Sequence, residues 1–308
     1  MPPIEERPTV AAIIAAYGPP ESLVETVTLL LQQLDHVVVV NDGSPSTSAP
    51  TFARIRETGA IVIDQPENAG IAAALNAGLR VSDANWTPDF YLTLDQDSRV
   101  TGRYVEFGLK TFSDARAAGL QVGYVCASSY SGHAIPVEPS EDGFLHAFDP
   151  MQSGFLIPRS TVETIGNFEE GFFIDGVDSE YTMRARNAGL NILVGKGCDI
   201  EHDLGQRRPG LLLGRKVRIR GVELSYNYHA PARVYYICRN GTILTKRYAG
   251  KAPRWVIRRL VEELKAHVLR FTFSPNRGLL LRAAVRGIWD GLKGATGRIP
   301  HELECRLR

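Results

Sequence analysis

The sequence predicts an α/β protein with a mostly parallel sheet, helices on both faces of that sheet and a helical extension at the C-terminus. Over the first hundred residues, short apolar runs typical of buried strands alternate with segments of helical periodicity. This alternation is the pattern of a parallel sheet whose strands are joined by helices. From residue 251 onward only helical patterns are found. We therefore predict one domain at 1–250 and a basic amphipathic tail at 251–308.

The first half of the predicted domain contains four strand-like runs, each followed by polar or glycine-rich residues. These runs are VAAIIAA at 10–16, VVVV at 37–40, AIVI at 60–63 and FYLTL at 90–94. Helical periodicity fills the intervals at 21–34, 51–58 and about 70–79. A loop rich in breaking residues at 85–89 precedes the fourth run.

The second half is less regular. We expect helices at 101–117, at 159–165 and from about 177 to 188, where Gly189 provides a C-terminal cap. Strands are expected at 122–127, 152–158, 191–194 and 198–202. The basic, glycine-rich segment 205–221 is predicted to be a mobile loop.

Bulk composition excludes several classes of protein. A formal net charge of +1 gives no global field for nucleic acid, so no nucleic-acid partner is expected. The four cysteines are widely separated, which argues against a disulfide scaffold and is typical of a cytoplasmic protein. No apolar run reaches the length of a membrane-spanning helix, and no signal-peptide pattern begins the chain.

Charge is unevenly distributed along the chain. Residues 251–308 carry a net charge of +8, which leaves −7 for residues 1–250. The tail also contains two amphipathic segments, around 256–271 and 279–292. Such helices could lie on the cytoplasmic face of the inner membrane, pack on the domain or form a homo-oligomer, and the sequence leaves these alternatives open.

Polar side chains follow the predicted strands. Asp95 and Asp97 come directly after the fourth run, at the end of a parallel strand where ligands collect. Carboxylates are the ligands that Mg²⁺ and Mn²⁺ prefer, often together with phosphate oxygens. An isolated Asp-x-Asp is a weak signal, because such a pair also caps helices.

Similar groups follow the other strands. Asp42 could accept a hydrogen bond from the N3–H of uracil or thymine, and Tyr17 could stack on the base. Gly70 at a helix start allows close backbone approach to an anion. Each residue alone is also an ordinary turn former or cap, but the whole set falls at successive strand ends.

On these residues the chain resembles family 2 glycosyltransferases of the GT-A fold, and among them bacterial rhamnosyltransferases that use dTDP-L-rhamnose. The matching stretches run in order from residue 10 to residue 240. They are IIAAY at 13–17, VVNDGS at 39–44, NAGIAAALNAG at 68–78, LDQDS at 94–98, SGFLI at 153–157, FFIDGVDSEY at 172–181, RVYY at 233–236 and RN at 239–240. One departure is Asn41-Asp42, where many relatives read Asp-Asn, so which of the two contacts the base stays open.

The resemblance implies an inverting, metal-dependent glycosyltransferase, with a donor half at 9–98 and an acceptor half at 99–250. It implies transfer of L-rhamnose from dTDP-L-rhamnose to a hydroxyl of a cell-surface glycan or lipid-linked saccharide. Asp97 and Asp95 would hold Mg²⁺ or Mn²⁺, with His202 completing the site as in some relatives. Asp178 matches the catalytic base, with Asp175 and Glu180 as neighbouring rivals.

The donor would contact residues of several motifs. The donor-binding set is Ala16, Tyr17, Asn41, Asp42, Asn68, Gly70, Asn76, Asp95, Gln96 and, as a diphosphate clamp, Arg207 and Arg208. The roles of Arg233, Arg239 and Asn240 cannot be derived from the sequence.

Three alternatives to a rhamnosyltransferase differ in how well they fit the sequence. A UDP-hexose donor would keep the same fold and mechanism. An inactive nucleotide-sugar-binding scaffold is disfavoured by the intact Asp95, Asp97 and Asp178. A sugar nucleotidyltransferase should show a glycine-rich loop with basic residues after its first strand. The segment AAYGPP at 15–20 has neither a glycine cluster nor a lysine or arginine.

Overall fold

The structure is a computed structural model that describes residues 7–202, 207–212, 215–219 and 221–307. The chain divides into two compact units. The first comprises Met1–Glu170 and Val177–Asp203, and the second comprises Gly171–Gly176 and Leu204–Arg308. The second unit therefore includes residues on both sides of position 250, as well as a short segment just before Val177.

The first unit is built on a large mixed sheet. Its strands are β1 Val10–Ala16, β2 His36–Asn41, β3 Ile61–Asp64, β4 Phe90–Asp95, β6 Val122–Cys126, β9 Val137–Glu138, β10 His146–Ala147, β11 Phe155–Pro158 and β12 Asn191–Val194. Their order is β3-β2-β1-β4-β11-β6-β12-β10-β9. The neighbours from β3 to β4 are parallel, β11 is antiparallel to β4, and β12 is parallel to β6. The mixed sheet flanked by helices confirms the predicted α/β class.

A smaller sheet lies in the same unit. Its strands are β5 Ser98–Val100, β7 Ser129–Tyr130, β8 His133–Ala134 and β13 Asp199–His202, in the order β5-β13-β7-β8. Because β5 begins three residues after β4 ends, the chain between the two sheets is the Asp95–Asp97 stretch. Asp97 and Ser98 therefore do not cap a helix.

Helices cover the sheet in the first unit. They are α1 Ser22–Leu30, α2 Ala49–Glu57, α3 Ile71–Asn85, α4 Tyr104–Ala117, α5 Arg159–Ile165 and α6 Val177–Asn187. The strands β1 and β2 are apolar and buried on both faces, as expected for a parallel sheet sandwiched by helices. Helix α3 packs very closely on β1, since a Cβ at Gly78 would lie 2.3 Å from Cγ2 of Ile13.

The second unit begins with hairpins where a mobile loop was predicted. The described residues form β14 Arg207–Pro209, β15 Leu211–Leu212, β16 Arg215–Lys216, β17 Arg218–Ile219, β18 Val222–Glu223 and β19 Ser225–Asn227. These strands pair antiparallel as β14–β19, β15–β16 and β17–β18. Local antiparallel ladders pair backbone groups of these described residues. Strands of two residues carry too little periodicity to be recognised in a sequence.

Helices complete the second unit. They are α7 Pro231–Tyr248, α8 Pro253–Phe273, α9 Arg277–Lys293 and α10 His301–Arg306. Helix α9 packs on α7 through small residues, and Gly287 and Gly291 face the backbone of α7 at Tyr235 and Arg239. Val234, Tyr235 and Leu280 belong to the apolar cluster that joins the two helices.

Arg239 and Asn240 hold the segment 171–176 against α7. Arg239 is 1 % exposed, and its guanidinium donates to the carbonyls of Gly297 at 2.6 Å and Gly171 at 3.3 Å. The amide of Asn240 donates to the carbonyls of Ile174 at 2.9 Å and Asp175 at 2.7 Å. The sequence motif whose role was open is therefore a brace inside the second unit.

We predict that Gly287→Ala destabilises the protein. The added Cβ would lie 2.4 Å from the carbonyl oxygen of Tyr235, so α7 and α9 would have to separate. Overpacking of this kind costs about 1–3 kcal/mol in the free energy of unfolding. Urea denaturation measures the change.

Gly278→Ala is the matched control, because it lies on the same helix with nothing within 4 Å of the added Cβ. It should be neutral or stabilising by up to about 1 kcal/mol, since alanine favours a helix over glycine. Equal effects of the two substitutions would contradict close packing of α9 on α7.

Candidate active site

Four parallel strands end side by side at one edge of the large sheet. Ala15 of β1 pairs with Asp95 of β4, and Ala16 pairs with Asn41 of β2. Asn41 in turn pairs with Asp64, the last residue of β3. Neighbouring strands are about 5 Å apart, so the residues that follow them share this edge. In α/β sheets ligands bind beyond such carboxyl ends.

Asp42 connects the end of β2 to the start of α3. Its carboxylate accepts the backbone N–H groups of Ala69 at 2.8 Å and Gly70 at 3.0 Å, and the side chain is buried. The anion at the amino end of α3 is thus the Asp42 carboxylate itself. A carboxylate can accept further hydrogen bonds, so the two N–H groups orient Asp42 and leave it capacity for a ligand. Asn68, half-buried, precedes these two residues.

Asn41 braces the turn beside Asp42. Its Oδ1 accepts the N–H of Ser44 at 2.9 Å, while its Nδ2 donates to Asp64 at 2.8 Å. Gly43 lies in this turn with φ +65°, and a Cβ there would be 2.4 Å from the carbonyl carbon of Glu67. The turn therefore requires glycine both for its left-handed conformation and for its closeness to the loop before α3.

Tyr17 stands at the same edge, directly after Ala16, with 50 % of its surface exposed. Its backbone N–H donates to Oε1 of Gln96 at 2.7 Å, and the next N–H, of Gly18, donates to Oγ of Ser44 at 2.9 Å. The loops after β1, β2 and β4 are thereby joined by hydrogen bonds. The aromatic ring remains accessible beside them for stacking.

Asp95 is held by residues that precede β11. The side-chain amide of Gln152 donates to Oδ1 of Asp95, and the backbone N–H of Asp95 donates to Oγ of Ser153 at 3.1 Å. The Ser153 hydroxyl donates to Oγ of Ser98 at 2.7 Å. These contacts orient Asp95, while Asp97 is exposed in the turn that follows.

The donor set at this edge fits a hard divalent cation that shares its coordination with a substrate. Among the described residues, no three His, Cys, Asp or Glu side chains converge to form a metal cluster. Mg²⁺ commonly uses only one or two protein carboxylates and takes phosphate oxygens and waters for the rest. Asp95 and Asp97 match that requirement. The backbone of His202 pairs with Ser98, next to Asp97, and the His202 side chain lies outside the described residues.

Asp178 lies in the first turn of α6, half-buried, and its Oδ1 accepts the N–H of Ser179 at 2.8 Å. Tyr130 is a buried neighbour of the segment before β11, and its hydroxyl donates to the carbonyl of Ser153 at 2.7 Å. Burial raises the pKa of Tyr130 well above its ordinary value, and the charges of Asp95 and Asp178 raise that pKa further.

The two rival carboxylates are engaged with arginines. Asp175 accepts from Nε and Nη2 of Arg233 at 3.0–3.2 Å, within the second unit. Glu180 is only 2 % exposed and pairs with Arg184 at 2.7 Å. Their oxygens are thus directed at guanidinium groups. The Asp178 carboxylate, by contrast, accepts a hydrogen bond from the backbone of its own helix at Ser179.

Asn76 has a different setting from the other donor-site candidates. It is 2 % exposed, and its Nδ2 donates to the carbonyl of Phe168 at 2.9 Å and to Glu170 at 2.8 Å. Its Oδ1 accepts the N–H of Phe168 at 2.9 Å. The side-chain amide of Asn76 makes these hydrogen bonds within the protein, so Asn76 holds the 168–170 segment in place.

Arg207 and Arg208 belong to β14 in the second unit. The Arg207 backbone pairs with Asn227. The guanidinium carbon of Arg208 lies 3.7 Å from the ring centroid of Tyr228, a cation–π contact.

Sequence reasoning did not find Gln152 as a hydrogen-bond partner of Asp95. The segment 152–158 was expected to be a strand throughout, but β11 begins at Phe155 and the preceding residues turn toward Asp95. The available signal was the polar pair Gln152-Ser153 ahead of an apolar run.

Residues 11–170, more than half of the chain, match the family described as Glycosyl transferase family 2. The chain belongs to this family. It is therefore a glycosyltransferase, and the strand edge with Asp95 and Asp97 is the candidate donor site.

A curated relative, the dTDP-rhamnosyl transferase RfbF of Shigella flexneri, is 26% identical over 301 residues, or 93% of this chain and 96% of that protein. The poly-beta-1,6-N-acetyl-D-glucosamine synthase of Staphylococcus aureus strain COL is 27% identical over 101 residues. That match covers 32% of this chain and 24% of the synthase, so it concerns a fragment of the relative.

Solved structures share the fold. The mannosyltransferase PcManGT from Pyrobaculum calidifontis, in complex with GDP-Man and Mn²⁺, superposes with a TM-score of 0.56 at 17% identity, covering 98% of this chain and 79% of its own. S. aureus TarS gives a TM-score of 0.55 at 15% identity and 97% coverage of this chain. The chain spans 50% of the TarS length. At these identities the likeness concerns the fold alone.

We predict that Gly43→Ala destabilises the turn beside Asp42. The substitution adds a left-handed strain of about 1–2 kcal/mol and a clash with the backbone of Glu67. Gly59→Ala is the control, because Gly59 also has a positive φ of +94° but nothing within 4 Å of an added Cβ. Urea denaturation should show a loss of unfolding free energy for Gly43→Ala that exceeds that of Gly59→Ala by about 1 kcal/mol or more. Equal losses would mean that the turn and the loop are not in close contact.

Proposed function

We propose that this enzyme transfers L-rhamnose from dTDP-L-rhamnose to a hydroxyl of a cell-surface glycan or lipid-linked saccharide, with inversion of the anomeric centre. The observation that carries the donor chemistry is the common end of β1, β2 and β4, where Asp95 lies beside the residues that follow the other two strands. It supports a donor edge at which a nucleoside diphosphate would meet the carboxylates of Asp95 and Asp97. The choice of donor is supported by the relative RfbF, which matches almost the whole chain.

The nucleotide would bind at the ends of β1 and β2. Tyr17, half exposed, would stack on the base, and a stacked base contributes about 1–3 kcal/mol. Asp42 would accept the N3–H of thymine while its other hydrogen bonds keep it oriented. Asn41 would act indirectly, because its amide is committed to Ser44 and Asp64.

The diphosphate would lie over Asp95 and Asp97. We infer that these carboxylates hold Mg²⁺ or Mn²⁺ together with the donor, with His202 as a further candidate ligand. When bound, the cation neutralises charge on the departing nucleoside diphosphate. Gln152 would keep Asp95 in its orientation through the amide hydrogen bond. Arg207 and Arg208 remain candidates for a diphosphate clamp.

Asp178 would act as the general base. It takes the proton from the acceptor hydroxyl as that oxygen forms a bond to the anomeric carbon. The bond from that carbon to the diphosphate oxygen breaks, and dTDP leaves with the electron pair. Attack opposite the leaving group inverts the centre. General-base assistance of this type is worth about 10²–10⁴-fold in rate.

A UDP-hexose is the second candidate donor. The same strand edge would serve, because uracil presents the same N3–H to Asp42 and lacks only the thymine methyl group.

The reaction is proposed to take place in the cytoplasm. Cys126, Cys198, Cys238 and Cys305 are all free thiols in the structure. Thiols without disulfides are typical of a reducing compartment.

We predict that Asp178→Asn lowers kcat by about 10²–10⁴-fold, because the amide cannot accept the proton of the acceptor. The affinity for the donor nucleotide should change little. Steady-state kinetics with dTDP-rhamnose and a glycan acceptor would measure the first effect, and calorimetric titration with dTDP the second.

Asp175→Asn is the control for the base assignment. Asp175 is ion-paired with Arg233, so its loss should alter stability more than the chemical step. If Asp178→Asn keeps full activity while Asp175→Asn loses it with donor binding intact, the base is Asp175.

We predict that dTDP raises the Tm in the presence of Mn²⁺ by more than UDP does. A ligand that binds only the folded state stabilises it by about 2.7 kcal/mol at a hundredfold excess over Kd. Thermal unfolding with each nucleotide, with and without Mn²⁺, and with Mn²⁺ alone gives the comparison.

Asp97→Asn provides the metal control and should remove the Mn²⁺-dependent part of the shift. A larger shift with UDP would transfer the assignment to a UDP-hexose donor. No shift with any nucleotide would argue for a scaffold that has lost its donor site.

A further inference from the structure

Two helices of the second unit carry apolar side chains on their exposed faces. On α8 these are Ile257, Leu260, Val261, Leu264 and Val268, and on α9 they are Leu281, Val285, Ile288, Trp289 and Leu292. Each set is spaced by three and four residues, with single steps between. At about 100° per residue, each set forms one stripe roughly 100° wide.

The exposed apolar surface is concentrated on this helix pair. Among the described residues, thirteen large apolar side chains are exposed, and only Tyr17, Val137 and Leu145 lie outside α8 and α9. A single exposed leucine needs no explanation, but ten on two consecutive helices mark an interaction surface.

Both helices already use another face for packing within the unit. On α9, Leu280, Ala283 and Gly287 face α7. On α8, Trp255 and Val256 are buried, and Trp255 contacts the ring of Tyr248 on α7. The exposed stripes therefore lie outside the folded core and are not needed to hold the two helices in place.

A basic edge borders each stripe. By helical geometry, Arg254, Arg258 and Lys265 lie about 70–110° from the centre of the α8 stripe. The corresponding residues of α9 lie at a similar angle and on the same rotational side. They are Arg282, Arg286 and Lys293.

The exposed charge of the helix pair is strongly positive. Seven basic residues are exposed, namely Arg254, Arg258, Lys265, Arg277, Arg282, Arg286 and Lys293. The exposed acid on these helices is Glu262, which pairs with Lys265 at 2.9 Å. Asp290 is buried and accepts from Tyr235 and Arg286.

We propose that the outward faces of α8 and α9, here called the α8–α9 surface, bind an anionic lipid bilayer. Apolar stripes bordered by lysine and arginine are the features of helices that lie in a bilayer interface. Anionic headgroups attract such a basic edge electrostatically. Within the described residues, no helix has the length and apolar character of a membrane span.

Charge favours a bilayer over a second copy of this chain. In a symmetric dimer the same patch must meet itself, so two strongly positive faces would approach each other. An anionic bilayer complements both the apolar stripe and the basic edge. The proposal does not depend on the donor or acceptor of the enzyme.

Trp289 offers a direct reporter. Its ring is 54 % exposed and lies 4.7 Å from Nζ of Lys293. Tryptophan next to lysine is typical of side chains at the boundary between headgroups and acyl chains. Trp255 is buried and Trp86 is half-buried, stacked on His36 at 4.1 Å, so both should respond less to lipid.

The test is flotation of the full-length protein with vesicles of phosphatidylcholine alone and with 30 % phosphatidylglycerol, together with tryptophan emission. We expect flotation with the anionic vesicles, a blue shift of the emission, and release by high salt. The double variant Leu264→Glu, Trp289→Glu should lose about tenfold or more in vesicle affinity, and the double variant Arg258→Glu, Arg282→Glu should lose a similar factor.

Leu145→Glu is the matched control, because Leu145 is 59 % exposed in the first unit, close to the 63 % of Leu264. It should float like the unchanged protein, and circular dichroism and Tm should show that every variant is folded. Absence of flotation, equal binding to neutral vesicles, or full binding by the Leu264→Glu, Trp289→Glu variant would overturn the proposal. So would light scattering that shows a dimer dissociated by these substitutions, since that result assigns the surface to a second copy.

Discussion

The common end of four parallel strands is the constraint on which the candidate site depends. Ladder pairing of Ala15 with Asp95 and of Ala16 with Asn41 fixes the relative position of three loops without any help from their side chains. Hydrogen bonds then join those loops, with Tyr17 bound to Gln96 and Gly18 to Ser44. A slip of one residue in this ladder would turn every side chain to the opposite face, so the buried core and the site are specified together.

Hydrogen bonding also explains why Asp42 is buried next to a helix start. A buried carboxylate needs hydrogen-bond partners, and the free N–H groups at the amino end of α3 need an acceptor. The Ala69 and Gly70 contacts satisfy both requirements and set the distance between β2 and α3. The sequence offers two roles for Asp42, as a cap and as a ligand-binding residue. The two roles are compatible, because a carboxylate has several acceptor positions.

Local pattern predicted β1 to β4, β6 and β12 because each of these strands is an apolar run bounded by turn residues. The pattern predicted that α3 ends at Leu79, but the helix continues to Asn85. The additional turns are held by the burial of Ser82 and by the stacking of Trp86 on His36. Such contacts come from residues distant in the chain and leave no periodic signal. The partner of Asp95 was missed for the same reason, since Gln152 reaches it only after β11 has paired antiparallel with β4.

The second unit shows how one helix can serve two surfaces. The small residues Ala283, Gly287 and Gly291 let α9 approach the backbone of α7, so a narrow strip of the helix is enough to secure it. The strip leaves the larger residues, including Trp289 and Leu292, on the outside. If α9 were held in place mainly by contacts between its outward-facing leucines and a partner, it would lose its packing whenever that partner dissociated. Helix α9 keeps its core contacts on α7 through the small residues, so the proposed bilayer contact would not require the helix to unpack.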